Sequence, residues 1–446
     1  MRIGGAIRER LLGSMDRKRM PLLFRKLAMM QFFHVAATVL QGLYLSTLIV
    51  RVTGDTGMTL IYNLVFYNVA TVGHLVGAVL VRRLPAIYCT RLCSVLYLGM
   101  YATLLFGMDQ LGVLWPLVAT FCGLAAAFNY IAYMILLLDC TEDETRDRSL
   151  SYMSLQSGVL SLLLPMIGGA LITFINNLSG NQLTGYFVLY SICSVFLVCM
   201  VVCSFRLPPR KPEEQKIYFR EVLCDLKKNL DCKRMMAMDA ITGFRDGTFS
   251  FFVSVLFFQL VDSEFLTGLQ NFGTGALAIL AAFLAGRWMR PDRRIPSMAA
   301  GVTLMMIPAL LMFFSFSAFT ILALSLCSGL MTSFVYNPAT SIALLVMSRM
   351  PDGTKKNPEY IGVRLFFVGA GRTLGNLMIL CFPSSTIGYV TALVIIIASQ
   401  YLLVYWGKKI TVDLQPTQSH EAVSYTHLDV YKRQRMHCQT PLFFIL

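Results

Sequence analysis

The sequence predicts an all-α membrane protein with twelve transmembrane helices in two pseudo-symmetric six-helix bundles. Three observations lead to this prediction: a composition poor in charge, twelve apolar stretches of membrane-spanning length, and a weak internal repeat. Of the 446 residues, 56% are hydrophobic and only 14% are charged, whereas soluble domains contain about 25% charged residues. Mean hydropathy is +0.64. This composition excludes a soluble enzyme, a disordered chain and a disulfide scaffold.

The individual elements follow from hydropathy, because a transmembrane helix needs about 20 mostly apolar residues. Twelve stretches satisfy this requirement, and we number them spans 1 to 12. Several contain Gly, Ser and Asn, which is typical of helices packed in a bundle. The predicted ranges are 27–50, 58–81, 86–107, 111–138, 149–175, 184–206, 237–261, 264–286, 296–316, 318–346, 360–382 and 386–407.

Basic residues gather on one side of this arrangement. On that side lie the N-terminal segment, the connections 2–3, 4–5, 6–7, 8–9 and 10–11, and residues 408–422 after span 12. Together with the adjoining ends of the spans, they hold 32 Lys and Arg residues. The other side holds one, Arg51, and two more, Arg245 and Arg372, lie within spans. We call the first side the basic end and the other side the opposite end. The positive-inside rule assigns the basic end and both termini to the cytoplasmic face of the plasma (inner) membrane. There the positive charge would meet anionic lipid, without any nucleic acid.

The last residues are set apart from the fold. Val423 to Gln434 can be back-translated into DNA that is almost its own reverse complement, and residues 423–434 resemble a translated sequencing adapter. We therefore interpret residues 423–446 as a non-native artefact. Leaving them out removes three basic residues and one acidic residue, so the net charge falls from +14 to +12.

The rest of the chain is expected to form two halves around one long polar segment. The second half repeats features of the first, which favours a parallel duplication of six helices. Phe33-His34 in span 1 matches Phe244-Arg245 in span 7, and Gly123, Leu124, Phe128 and Tyr130 in span 4 match Gly329, Leu330, Phe334 and Tyr336 in span 10. The expected divisions are a cytoplasmic N-terminal segment (1–26), a first bundle (27–206), a cytoplasmic central loop (207–236), a second bundle (237–407) and a cytoplasmic tail (408–422).

With these features the chain resembles the major facilitator superfamily over about residues 20–410. The signature of that family between spans 2 and 3 is Gly-x-Leu-x-Asp-Arg-x-Gly-Arg. Residues 77–85 keep Gly77 and Arg82 of this signature but have Val81 in place of the acid. The second-half copy at residues 282–290 also lacks the acid, and it keeps Leu284, Arg287 and Arg290.

Two further stretches, residues 244–247 and residues 359–372, look like a branch of this superfamily with no settled substrate. The resemblance implies a midplane cavity lined mainly by spans 1, 4, 7 and 10. It also implies secondary transport of a small solute by alternating access, with protons or sodium as candidate coupling ions.

Charged groups within membrane helices are candidates for a substrate or coupling-ion site, because burying them costs roughly 2.5–3.5 kcal/mol on insertion scales. Arg372 lies deep in span 11 and is expected either to bind an anionic substrate group or to form a structural ion pair. Arg245 and Asp246 lie in span 7, either in a cytoplasmic gate or, for Asp246, paired with Arg372 as a coupling site. The two arginines favour a solute with an anionic group.

Uncharged polar residues within spans are secondary candidates. His34 takes the place in span 1 that Arg245 takes in span 7, so it is expected to be either a proton sensor or a packing residue. Four amides could bind a polar substrate or only join helices, namely Asn68, Asn129, Gln156 and Asn337. Asn337-Pro338 is also expected to interrupt span 10, because proline lacks a backbone donor.

An acidic run between spans 4 and 5 shares the basic end with several arginines. We predict a salt-bridged cytoplasmic gate there, with Arg82 paired to Glu142, and a simply solvated loop is the alternative. The predicted gate residues are Arg82, Arg83, Asp139, Glu142, Arg146, Arg148, Arg287, Arg290 and Arg364.

Motifs for other chemistry are lacking in the sequence. It has no Walker loop, dinucleotide fingerprint, HExxH or CxxC pair, so neither a cofactor nor a bound metal is expected. A monomer surrounded by lipid is expected. Two other functions stay open: a proton-coupled drug or lipid exporter, which 25 Met and 31 Phe would suit, and a non-transporting sensor with the same fold.

Overall fold

The computed structural model describes residues 22–141, 143–210, 216–288, 293–348, 356–382 and 385–413. Within these ranges, twelve helical spans are long and apolar enough to cross a membrane, and no residue is in a β-strand. The predicted all-α fold with twelve spans is therefore confirmed. The described residues up to Ile410 belong to one compact unit, and the last three described residues of span 12 fall outside it.

Each of the first six spans is one continuous α-helix. The predicted apolar ranges lie within or close to these helices, which extend into polar residues at several ends. Span 2, for example, begins after Asp55, whose Oδ1 accepts a hydrogen bond from the amide of Gly57 at 2.7 Å. The helices are Leu22–Thr53, Thr56–Arg83, Ala86–Phe106, Leu111–Cys140, Asp143–Ser179 and Thr184–Ser204.

Three spans of the second half are interrupted. Span 7 consists of two helices separated at Ser250 and Phe251, span 10 contains a π-helical turn, and span 12 consists of two helices separated at Gln400. The helices of spans 7 to 12 are Leu230–Phe249 with Phe252–Val261, Glu264–Trp288, Arg294–Leu311, Ala318–Met331 with Thr332–Tyr336 and Asn337–Ser348, Asn357–Cys381, and Thr386–Ser399 with Tyr401–Asp413.

The interruption of span 10 confirms the expected effect of Pro338. Proline cannot donate to the carbonyl four residues earlier, which is that of Phe334. Ser297 of span 9 supplies the missing donor, because its Oγ donates to the Phe334 carbonyl at 3.0 Å. The carbonyl thus stays satisfied while the helix widens into the π-helical turn Thr332–Tyr336.

The central segment contains more helix than the sequence predicted. Span 7 begins at Leu230 and not at residue 237, because the Asn229 side chain caps the amides of Asp231 and Cys232 at 2.9 and 3.1 Å. Before it lies a short amphipathic helix, Phe219–Lys228. The hydropathy criterion for membrane spans does not detect the first turns of span 7 or the short helix, because both are rich in charged residues.

Glycines allow the two halves to approach closely. A Cβ at Gly369 of span 11 would overlap the Thr71 hydroxyl of span 2, and a Cβ at Gly169 of span 5 would overlap the Glu264 carbonyl of span 8. Small residues commonly mark such close helix contacts in membranes. Gly158, nearer the basic end of span 5, has open space around the position of a Cβ. Span 5 is therefore held tightly against span 8 towards the opposite end.

Candidate functional site

Arg245 of span 7 lies against span 10, and both of these spans are interrupted. Its Nη1 donates to the hydroxyl of Tyr336, the last residue of the π-helical turn, at 2.7 Å. The guanidinium also lies over the rings of Phe249 and Tyr336, with distances to the ring centroids of 4.9 and 5.1 Å. The irregular backbone of span 10 therefore presents a hydroxyl and an aromatic face to one buried cation.

Asp246 lies beside Arg245 and is the more accessible of the two. Adjacent helical residues point about 100° apart and would not be expected to face each other. Instead, the long Arg245 side chain brings Nη1 within 3.4 Å of Oδ1 of Asp246. The Asp246 side chain is 32% exposed and that of Arg245 is 7% exposed. Among the described ion pairs, Asp246 is joined to Arg245 and not to Arg372.

Arg372 lies on span 11 and faces the first half. Its guanidinium carbon is 5.1 Å from the ring centroid of Tyr67 in span 2. Its charge also acts on His74 and Tyr130, which belong to spans 2 and 4. Within the described residues no acidic oxygen lies within 4.0 Å of its guanidinium, and its buried Nε has no hydrogen-bond partner. Arg372 is thus a partly buried cation without a neutralising side chain in the described part of the chain.

Four glycines determine where the two arginines stand. Spans 7 and 11 pack backbone against backbone, and a Cβ at any of these positions would overlap a carbonyl of the facing helix. The glycines are spaced four residues apart on each helix, in the small-xxx-small pattern that brings membrane helices together. They are Gly243 and Gly247 on span 7 and Gly371 and Gly375 on span 11.

Tyr67 connects Arg372 to the break in span 7. Its hydroxyl lies 2.6 Å from Oγ of Ser250, the residue where the first helix of span 7 ends. One side chain of the first half therefore contacts both a cation and a helix interruption of the second half. Sequence reasoning did not select Tyr67, whereas the position of Tyr336 in the internal repeat did point to that residue.

The other predicted polar residues are distributed more widely. His34 and Asn129 are buried and hydrogen-bonded to each other at 2.8 Å between spans 1 and 4. Gln156 donates to the Ala28 carbonyl at 3.1 Å and so joins span 5 to span 1. Asn68 donates to a carbonyl of its own helix, and Asn337 begins the last segment of span 10.

Arg82 has an acidic partner in the other half that sequence reasoning did not select. Its guanidinium forms a buried, bidentate pair with Glu359 of span 11, with Nη2 to Oε2 at 3.0 Å and Nε to Oε1 at 3.2 Å. Spans 2 and 11 run side by side, so their basic ends meet and an acid from the other half reaches Arg82. Glu142, the expected partner, lies outside the described residues, so its pairing with Arg82 stays a prediction.

The rest of the predicted gate is described only in part. Arg364 forms a bidentate pair with Asp239 of span 7 at 2.8 and 2.9 Å, within the second half. Arg210 donates to the Asp139 carbonyl at 2.9 Å, and Arg83 is exposed. Four other predicted gate residues have side chains outside the described part, so their role stays a prediction: Arg146, Arg148, Arg287 and Arg290.

A second ion-pair cluster joins the halves at the opposite end. Arg51 of span 1 lies 2.7 Å from Oε1 of Glu264, the first residue of span 8, and 3.1 Å from Oδ1 of Asp262. The Tyr186 hydroxyl donates to Glu264 at 3.1 Å, and Gln182 accepts from Arg51 at 2.8 Å. Sequence reasoning missed Glu264, although the residue stands exactly at the predicted start of span 8.

Twelve spans in two halves, with interrupted helices and buried charges near the contact between the halves, define a polytopic membrane transporter and not an enzyme. The profile of the Major Facilitator Superfamily matches residues 27–376. The chain therefore belongs to this superfamily. Within the described residues, no group of three or more His, Cys, Asp or Glu side chains is arranged to hold a metal ion.

Several known proteins are similar to this chain. The uncharacterized protein YqgE of Bacillus subtilis (strain 168) is 24% identical over 322 residues, which are 72% of this chain and 73% of that protein. A bacterial homologue of the iron transporter ferroportin in an inward-facing state superimposes with a TM-score of 0.66 and 12% identity, covering 87% of this chain and 98% of the other.

Two other solved structures superimpose to a similar extent. A D-xylose-proton symporter gives a TM-score of 0.62 at 13% identity, over 90% of this chain and 98% of the other. A peptide transporter in complex with sulfate gives a TM-score of 0.66 at 10% identity, over 88% of this chain and 95% of the other. At such low identity these likenesses show the fold alone.

Proposed function

We propose that this protein is a secondary active transporter that moves a small solute with an anionic group by alternating access. One observation supports the anionic group above all: Arg372 is a partly buried cation without an acidic partner among the described residues. We further propose that the protein acts as a monomer in the plasma (inner) membrane, with the basic end and both termini in the cytoplasm.

Charge energetics favour a ligand that completes the Arg372 site. A cation within a membrane span costs roughly 2.5–3.5 kcal/mol, and a cation–π contact such as that with Tyr67 returns about 0.5–2 kcal/mol. A carboxylate or phosphate group would neutralise the charge and accept two parallel hydrogen bonds from the guanidinium. Arg245 is less available, because Tyr336 and Asp246 already contact it.

The contacts at the opposite end support the proposed mechanism. Arg51 and Glu264 join the first half to the second there, and both side chains are largely buried, at 11% and 6% exposure. Opening that end to the solute would require breaking this pair. Interrupted helices typically border binding sites in transporters and allow their segments to move separately, and spans 7 and 10 place such interruptions beside Arg245. Protons or sodium remain the candidate coupling ions, with Asp246 as the accessible acid.

A ligand screen on the purified protein tests the anionic group. Carboxylates, organic phosphates, sugars, nucleosides and cationic dyes would be added singly while the thermal unfolding midpoint is measured. We expect stabilisation by at least one anion class. Stabilisation by cationic dyes and by no anion would instead support the drug-exporter alternative and would contradict this proposal.

The variant Arg372→Gln tests the assigned residue, with Arg206→Gln as a control that loses one exposed arginine at the basic end. Loss of a charge-assisted hydrogen bond costs about 1.5–3 kcal/mol, so the half-saturating anion concentration should rise about 10- to 100-fold in Arg372→Gln only. An equal response in both variants would return Arg372 to a structural role. Binding by wild type without movement of the bound anion into proteoliposomes would support the sensor alternative and contradict transport.

A further inference from the structure

An apolar cleft of about 510 Å³ lies where the two halves meet near the basic end. Its walls come from span 2 of the first half, from span 11 of the second half and from the short helix Phe219–Lys228. Nine side chains line it and all are apolar, among them Val76 and Val79, Leu223, and Phe366. Its volume falls within the range of about 300–1,000 Å³ typical of ligand pockets.

The short helix is fixed to span 11 by one face. Val222 is fully buried, and Asp225, three residues later on the same face, binds two groups at the start of span 11. Its Oδ2 accepts from the Tyr360 hydroxyl at 2.7 Å and from Lys356 Nζ at 3.2 Å. The neighbouring stripe with Leu223 is turned towards the cleft, and this leucine remains 48% exposed.

Exposed apolar side chains continue around the cleft. Val76 is 48% exposed and Phe366 is 43% exposed. Uncovered apolar surface of this kind marks a binding site when polar groups border it. At the edge of a membrane, the hydrocarbon chain of a lipid is the apolar group available to fill it.

Basic side chains border the cleft on two of its walls. Arg83 follows Val79 by four residues and so extends the same face of span 2 towards the basic end. Arg220 and Lys227 stand three residues before and four residues after Leu223, at either end of the exposed stripe. All three basic residues are exposed. Basic pockets between membrane helices on the cytoplasmic side are suited to anionic lipid headgroups.

We propose that this cleft is a binding site for an anionic phospholipid. One acyl chain fills the space between spans 2 and 11 and the short helix, and Arg83, Arg220 and Lys227 bind the phosphate. The apolar lining favours a hydrocarbon chain, and the basic border favours a negatively charged headgroup over a zwitterionic one. The site is separate from Arg372 and does not depend on which solute the protein moves.

Photolabelling tests the position of the site. Full-length protein would be placed in phosphatidylcholine nanodiscs with a small fraction of phosphatidylglycerol that carries a diazirine in its acyl chain. We expect label in peptides covering residues 75–79, 219–228 and 363–367, and competition by unlabelled phosphatidylglycerol but not by glycerol phosphate. Label spread evenly over the other lipid-facing helices would overturn the proposal, as would full competition by glycerol phosphate.

A charge-matched pair of variants tests the headgroup contacts. The triple variant Arg83→Gln, Arg220→Gln and Lys227→Gln should lower labelling of these peptides at least fivefold. The control triple Arg206→Gln, Lys233→Gln and Arg293→Gln removes three other exposed basic residues and should retain labelling. Equal loss in both triples would mean attraction by overall charge only. Equal labelling by a phosphatidylcholine probe would also contradict the proposal, since it would leave no headgroup preference.

Discussion

Arg245 depends on two neighbours of different kinds, an accessible carboxylate and a buried hydroxyl. The variant Tyr336→Phe removes the 2.7 Å hydrogen bond and keeps the aromatic face. Hydrogen bonds between membrane helices contribute about 0.5–2 kcal/mol, so the free energy of unfolding should fall by about that amount in a denaturant titration. Tyr401→Phe, which removes the exposed contact with Thr303, is the control and should change little. Similar losses in the two variants would contradict a special role for Tyr336.

Asp246 is the more accessible of the two charged residues in this ion pair, because its side chain is one-third exposed. Asp246→Asn keeps the shape of the side chain and removes its negative charge. We expect exchange of labelled solute across proteoliposomes to continue, while accumulation driven by a proton or sodium gradient is lost. Asp262→Asn, which alters a 77% exposed carboxylate, should retain accumulation. Undiminished accumulation in Asp246→Asn would assign coupling to another group.

At the residue scale, sequence reasoning finds charged residues whose burial within a membrane span costs free energy. It misses residues that matter only because the fold places them next to such a charge. Arg245, Asp246 and Arg372 are recognisable because a charge within a membrane span is costly and is usually kept for a structural or functional role. Asp239 satisfies the same criterion within predicted span 7 and was overlooked. Glu264 and Glu359 lie at the ends of predicted spans, where a sequence cannot distinguish a solvated loop charge from the partner of an arginine in the other half. Tyr67 is one of 19 tyrosines, and only its contacts distinguish it.

The π-helical turn of span 10 lies directly before Asn337-Pro338, and we expect it to depend on the proline. Pro338→Ala restores the donor to the Phe334 carbonyl, so the turn should tighten to a regular helix and carry Tyr336 away from Arg245. We expect the thermal midpoint to stay or rise and the affinity for a stabilising anion to fall about tenfold. Pro308→Ala in span 9, where the proline lies within a continuous helix, should not change that affinity. Unchanged affinity in Pro338→Ala would mean that the π-helical turn does not contribute to anion binding.

The elements differ in how much the sequence reveals of them. The twelve spans are predictable because each is long and apolar enough to be recognised alone. The short helix Phe219–Lys228 is not, since its ten residues are amphipathic and depend on span 11 for their docking face. The break in span 7 involves no proline, and its visible feature is a contact between Ser250 and Tyr67 of the first half, which the sequence cannot show.

Across the whole molecule, one buried ion pair joins the two halves at the opposite end. Arg51→Glu should favour opening there, because it places two acids together, and adding Glu264→Arg should restore the pair. The distance between spin labels on that end of spans 1 and 8 would report both effects. Asp262→Asn is the matched control, because its exposed carboxylate contributes little through solvent. If the double variant showed the same spin-label distance as Arg51→Glu alone, the ion pair would not be what holds the opposite end closed.

The glycine contacts between the halves have a practical consequence. Gly169 of span 5 contacts the Glu264 carbonyl so closely that no space remains for a Cβ. Gly169→Ala should therefore destabilise the conformation described above, in which spans 5 and 8 touch. It should not affect a conformation in which these two helices are apart. Gly158, on the same helix, accepts an added side chain freely and offers a place for a fluorophore. A single methyl group therefore becomes a means of enriching the alternative conformation for structure determination, without an antibody or an inhibitor.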